Sequence, residues 1–205
     1  MIGAFFGKRR RGKSTLMLHT ARGLGLTVVI FDINRQFRQV PAATVSSADD
    51  LAALLDRAPM EVVFRPAGDV VEGFAEFAGV VSRFDGITVC IDESSRLQGA
   101  SYVAPALDTY ARFFGFEENH LLQALHRPQD LSTALRSLQT DFYYFRTRES
   151  RSLQAIADQC GSEVADLVSG LDGRAYLHWN DDEEKFEVVS DSAGWLVNLD
   201  VGGVA

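Results

Sequence analysis

The stretch Gly7-Lys8-Arg9-Arg10-Arg11-Gly12-Lys13-Ser14 limits the possible folds of this chain more than any other segment. Two glycines bracket four residues and are followed by Lys-Ser. An apolar run, Ile2–Phe6, precedes them, and a helical pattern, Lys13–Arg22, follows. This is the spacing of a phosphate-binding loop, in which a buried strand ends in a turn and a helix begins with free N–H groups. Gly7 and Gly12 let the backbone bend around phosphates without a Cβ clash. Lys13 is expected to reach the β- and γ-phosphates, Ser14 to ligate Mg²⁺, and Thr15 to bond near the α-phosphate. Lys8 is counted with the binding residues; whether it or one of Arg9 to Arg11 touches the γ-phosphate stays open. The cations Lys8 to Arg11 also fit a nucleic-acid patch or a targeting tag, but the strand-before, helix-after context favours the loop.

A chain that uses such a loop needs a sheet behind it. Apolar runs at Leu26–Asp32, Met60–Arg65, Ile87–Asp92, His120–Leu125 and Asp141–Arg146 are continuous more than alternating, as in parallel strands covered on both faces. Helical patterns at Asp49–Arg57, Val70–Phe84, Ala104–Phe114 and Asp130–Leu138 lie between them, with Ser46 and Ser47 as caps for the first. The alternation predicts an α/β fold with a mainly parallel central sheet flanked by helices. Residues 1–150 form the core. Residues 151–205 add two short helices, Arg151–Gln159 and Ser162–Ser169, a hairpin, Ala175–Asn180 with Lys185–Ser190, and a loose tail, all packed on the same domain.

Composition narrows the function. The 205 residues are 46% hydrophobic and carry a formal charge of −8, which argues against coating nucleic acid or membrane by bulk charge but leaves a local basic surface open. Two cysteines, Cys90 and Cys160, are too few for a disulfide framework and fit a reducing compartment. No apolar stretch approaches the roughly 20 residues of a membrane span, and no signal peptide is visible. An intracellular, soluble protein is expected.

Ile87–Asp92 ends in two acids, Asp92 and Glu93. A carboxylate at the carboxyl end of a buried strand lies where open α/β folds bind ligands. Asp92 can there hold the Mg²⁺ shell through water, and Glu93 can polarise an attacking water. An acid pair at this place points to hydrolysis of a nucleoside triphosphate rather than transfer to a small acceptor. The bland reading is a strand end with two solvated acids.

The segment Ala124-Leu125-His126-Arg127-Pro128 resembles the strand, polar residue and Arg-Pro of the FtsK–HerA superfamily of DNA-pumping ATPases. The resemblance implies a RecA-like, ASCE-type P-loop fold. It makes His126, where that family usually has Gln, a sensor of the γ-phosphate. Arg112-Phe113-Phe114-Gly115 is similar to the family's RxxG segment, which implies an arginine finger at Arg112 entering the neighbouring subunit's site; Arg146 and Arg148 are rivals. Val28–Phe37 looks like the second-strand segment and implies that Asp32 sits by the nucleotide. The resemblance spans about residues 1 to 178, and the short length is most like the genome-packaging ATPases of tailless, membrane-containing double-stranded DNA viruses. It implies ATP and Mg²⁺, a homo-oligomeric ring (hexamer or pentamer) around double-stranded DNA, capsid-vertex or membrane-protein partners, and a place at the virion's packaging vertex or in the host cytoplasm. Arg96 and the residues after Pro128 are then candidates for DNA contact. Alternatives are a plasmid or cellular HerA-like translocase, a filamentous-phage assembly ATPase, a small nucleotide kinase, or a nucleotide-switched binding protein.

Overall fold

Continuous apolar runs become adjacent strands because both of their faces can be buried. In a computed structural model, which describes residues 1–38, 40, 42–57, 61–113 and 119–190, they form one sheet. In chain order the elements are β1 (Ile2–Phe6), α1 (Lys13–Gly23), β2 (Thr27–Asp32), β3 (Ala43–Val45), α2 (Ala48–Leu55), β4 (Glu61–Phe64), α3 (Val70–Val81) and β5 (Ile87–Asp92). They continue with β6 (Gln98–Gly99), β7 (Tyr102–Val103), α4 (Pro105–Phe113), β8 (His120–Leu125), α5 (Thr133–Arg136) and β9 (Asp141–Phe145). The last four are α6 (Ser150–Cys160), α7 (Ser162–Gly170), β10 (Tyr176–Asn180) and β11 (Lys185–Val189). The large sheet has the order β11-β10-β9-β1-β8-β5-β2-β4-β3. Pairings from β9 to β3 are parallel and both pairings of β10 are antiparallel, so the C-terminal hairpin continues the same sheet.

The helices divide unequally between the two faces. Helices α2 to α7 all contribute to one core, around Phe31, Phe64, Phe74 and Phe77, where Phe74 meets the Phe31 ring edge-on at 5.1 Å. On the other face α1 buries Leu16, Met17, Leu18 and Ala21 against Phe5, Ile30 and Leu122, with Phe37 from the loop after β2 beside them. Arg22, in the last turn of α1, pairs with Glu61 on β4 and ties the far end of the helix down. Burying each of these phenylalanine, leucine, isoleucine and methionine side chains contributes roughly 1.5–3 kcal/mol.

Strands β5 and β8 match the predicted ranges, and Ser47 caps α2 by accepting from Asp50 N at 3.2 Å. The single helix expected over 130–138 is instead a 3₁₀ turn, Pro128–Asp130, followed by α5. Leu131 and Ser132 are extended, and the Ser132 hydroxyl accepts from Leu135 N at 3.2 Å, so the serine starts a new helix and does not continue one. Strand β3 and the β6–β7 hairpin were not expected; at two or three residues they are too short to show a period. Met60, Phe114 and the tail lie outside the described residues.

One imidazole reinforces the ladder that joins the hairpin to the sheet. His178 on β10 stacks on Tyr143 of β9, with centroids 4.4 Å apart, and faces Asp141 Oδ1 through Nε2 at 2.8 Å and Glu187 Oε1 through Nδ1 at 3.3 Å. Burial disfavours the imidazolium, but the two carboxylates overcome it and raise the His178 pKa. Burial likewise opposes ionised Asp141, yet His178 and Thr140 hold its pKa below the usual value. The raised histidine contributes stability that is complete below its ordinary value of 6.5 and is lost as pH climbs through the folded value. The aspartate contributes above its ordinary value of 3.8, and this is lost as pH falls through its lowered one. Urea unfolding of the parent and His178→Gln should therefore differ most at mildly acidic pH, with the gap closing as the solution becomes alkaline. A gap that stays constant from pH 6 to pH 10 would contradict the clamp.

Candidate active site

The loop between β1 and α1 is shaped by two left-handed residues, Arg10 at φ 63° and Gly12 at φ 102°. Gly12 is the N-cap of α1 and offers no side chain, so the first-turn N–H groups are left for another acceptor. At the loop's other end Gly7 lies against Phe145, where an added Cβ would sit 2.8 Å from that residue's own Cβ. No rotation of the phenylalanine relieves such a contact.

Lys13 folds back over the loop and donates from Nζ to the Lys8 carbonyl at 3.3 Å. Burial lowers its pKa, Asp92 and Glu93 oppose that, and Arg9 adds to it. Ser14 donates from Oγ to Asp92 Oδ1 at 2.8 Å. Asp92 is only 3% exposed, and its second oxygen, Oδ2, is buried with no hydrogen-bond partner among the described residues. Burial, with Asp32 and Glu93 nearby, raises its pKa against the effect of Ser14 and Lys13. An orphaned carboxylate oxygen beside a serine hydroxyl is the donor set a hydrated Mg²⁺ takes, so the residues present fit that ion.

Glu93 follows immediately on a left-handed backbone, φ 63° and ψ 48°, and lines the same cleft as Asp92. Its Oε1 accepts from Ser95 Oγ at 2.8 Å and lies 2.9 Å from His126 Nε2. Its Oε2 has no hydrogen-bond partner among the described residues. Such a carboxylate can take a proton from water while its other oxygen is held.

These groups line a cleft of about 530 Å³ that also includes Arg9, Arg10 and Thr15. Asn34 and Gln36, which sequence reasoning missed, line it too. The available signal was Asp32, four residues before Gln36. Asp32 is fully buried, and its carboxylate accepts from Gln36 N at 2.8 Å, Phe37 N at 3.3 Å and Arg65 Nε at 3.0 Å. It therefore does not face the cleft; it shapes the loop that presents Gln36. A second cleft of about 600 Å³ lies on the far side of the phosphate loop, between Lys8, Arg127, Tyr144 and Phe145, and meets the first at Arg9 and His126. The Lys8 side chain is exposed and borders this second cleft.

Arg112 is not brought to the site within one chain. Helix α4 starts beside the turn after β5, where Ala104 N donates to Leu97 O at 2.8 Å, and returns towards the amino end of β8. Arg112, in its last turn, is exposed and bonds Asp108 through Nε at 2.9 Å. Arg146 and Arg148 follow β9 at the phosphate-loop end of the sheet; Arg146 reaches Asp172 at 3.4 Å.

No protein-family model matches the chain, and no curated protein matches it in sequence. Solved structures do match in fold. The genome packaging NTPase B204 from Sulfolobus turreted icosahedral virus 2, in complex with ATPγS, superposes with a TM-score of 0.75 at 20% identity, covering 91% of this chain and 95% of that one. B204, the DNA-packaging ATPase from Sulfolobus turreted icosahedral virus, gives 0.69 at 19% identity over 91% and 95%. VirB4 of Thermoanaerobacter pseudethanolicus gives 0.64 at 12% identity over 92% and 88%. The chain therefore has the P-loop NTPase fold of these proteins, as its sequence led one to expect.

Because the Gly7 contact is backbone-near on both sides, Gly7→Ala must displace the loop or β9. Its affinity for ATPγS, measured by calorimetry, should fall about tenfold, ~1.4 kcal/mol. Unchanged affinity would show that the close approach of Gly7 to Phe145 does not set the loop.

Proposed function

We propose that the chain is an ATP-hydrolysing subunit of a ring that moves double-stranded DNA, as in the packaging of a viral genome. The observation that carries the reading is the Ser14–Asp92 hydrogen bond, with the orphaned Asp92 oxygen on one side and the half-held Glu93 on the other. A kinase needs no such water-activating carboxylate next to its metal acid, whereas a hydrolase does.

The N–H groups opening α1 receive the phosphates, with Thr15 near the α-phosphate and Gly7 and Gly12 allowing the close approach. Lys13 exchanges the Lys8 carbonyl for β- and γ-phosphate oxygens, a transfer helped by the loss of hydration it already bears. Ser14 and Asp92 would hold Mg²⁺, directly and through water. When bound, that ion spreads the charge that builds on the β–γ oxygens. Glu93 uses Oε2 to take the proton from the attacking water while His126 holds Oε1. In this role His126 reports on the γ-phosphate through Glu93. Arg112 lies towards the amino end of β8, away from the carboxyl ends of the strands that carry the site, so it could reach phosphates only in a neighbouring copy. A guanidinium supplied this way contributes about 10³–10⁵ in rate and ties hydrolysis to assembly.

Support for DNA as the cargo comes from the fold shared with B204, described as a DNA-packaging ATPase. With a formal charge of −8, contact must be local. Exposed Arg96, on the turn after the acid pair, and the segment after Pro128 are the candidates. The place of action would be a capsid vertex or the host cytoplasm.

The purified chain with Mg²⁺ and ATP should release phosphate without any acceptor and do so faster with duplex DNA, an effect that fades as salt rises. Lys13→Ala should abolish both binding and release. Mixing Arg112→Ala with Glu93→Gln subunits should restore activity at interfaces free of both defects. Phosphate transfer that requires a small acceptor would favour a kinase, and absence of complementation at every mixing ratio would remove Arg112 from the site.

A further inference from the structure

Beneath the acid pair lies a cluster of buried polar side chains to which no role has been assigned. Ser94, Gln98 and Gln123 come from the turn after β5, from β6 and from β8, and all three are buried. Ser94 Oγ donates to Gln123 Oε1 at 2.9 Å and accepts from Gln98 Nε2 at 2.7 Å. Gln98 Nε2 also reaches Gln123 Oε1 at 2.7 Å, and Gln98 Oε1 accepts from Ser132 N at 3.0 Å, at the cap of α5. One amide thus staples four parts of the chain together directly under Glu93.

Glu93 needs such support. A residue with a side chain seldom adopts φ 63°, and it persists there only when its surroundings over-determine it. The left-handed turn sends Ser94 into the core and Glu93 out to the cleft. The backbone of the turn is closed by Arg96 N to Glu93 O at 3.0 Å and Leu97 N to Ser94 O at 2.9 Å. Those two bonds fix the shape of the turn. The Ser94 hydroxyl ties the start of the turn to β8, the strand that leads three residues later to His126. Both ends of the Glu93–His126 contact are therefore referred to Gln123.

We propose that Ser94, Gln98 and Gln123 are positioning residues that hold Glu93 where its free oxygen can activate water. The proposal rests on the hydrolytic reading above. The cluster acts through Glu93 and touches no substrate, so it sets the rate of hydrolysis and not the affinity for nucleotide. Gln98 is also the first residue of the β6–β7 hairpin, whose Tyr102 is 53% exposed. Displacement of that hairpin would be felt first at Gln98 and then at the turn.

Ser94→Ala is the selective variant, because the Gln98–Gln123 bond survives it while the turn is released. Its kcat for phosphate release should fall roughly ten- to a hundredfold, the scale of a misplaced catalytic group. Its Kd for ATPγS should stay within about twofold of the parent. Gln98→Met should show the same split. In a Glu93→Gln background neither substitution should lower the residual rate further, since the group they position is already gone. If Gln98→Met folds poorly, Ser94→Ala with its cycle against Glu93→Gln decides alone. Parental kcat in Ser94→Ala, or an equal fall with and without Glu93, overturns this role while leaving the hydrolytic reading in place. A parent chain that releases no phosphate removes both.

Discussion

The hydrogen bond from Ser14 to Asp92 is where the two halves of the site become one. Ser14 belongs to a helix on one face of the sheet, and Asp92 ends a strand two places from β1. Their meeting at 2.8 Å requires β1, β8 and β5 to be in register, Phe6 beside Leu125 and Ile91 beside Gln123. A slip of one residue along either pair would turn alternate side chains to the other face and part the hydroxyl from the carboxylate. The apolar runs that bury these strands on both sides therefore do more than stabilise the chain. They set the spacing of its chemistry.

Charge is concentrated at this junction at a cost the core must cover. Asp92 is buried beside Asp32 and Glu93, and desolvation weakens the charged forms of both Asp92 and Lys13. A triphosphate with its cation would supply each of them with a partner of opposite sign. The left-handed backbone at Arg10 and Glu93 adds strain at the same place. Consistency between pattern and structure holds in the sheet and is relaxed at the cleft, as functional sites tend to show.

Much of this was legible in the order of residues. The phosphate loop was readable because its glycines, lysine and serine are local, and β5 and β8 because four of the six residues in each are apolar. What failed was non-local. An acid ending a strand looks the same whether it faces a phosphate or caps its own loop. Asp32 does the second because Arg65, far along the chain, comes to meet it. The Glu93–His126 contact and the cluster around Gln98 depend on which strand lies beside which, and no spacing in the sequence records that. Ser132 broke a helix that periodicity had drawn through it, since a capping hydroxyl outweighs a weak apolar stripe.

The most direct measurement is calorimetric titration of ATPγS into the parent and into Asp92→Asn, each with and without Mg²⁺. If Asp92 is the acid that holds the cation, the ion should tighten binding to the parent, and that gain should vanish in Asp92→Asn while metal-free affinity is kept or improved. An equal magnesium effect in both proteins, or a parent that does not bind the nucleotide, would contradict the account.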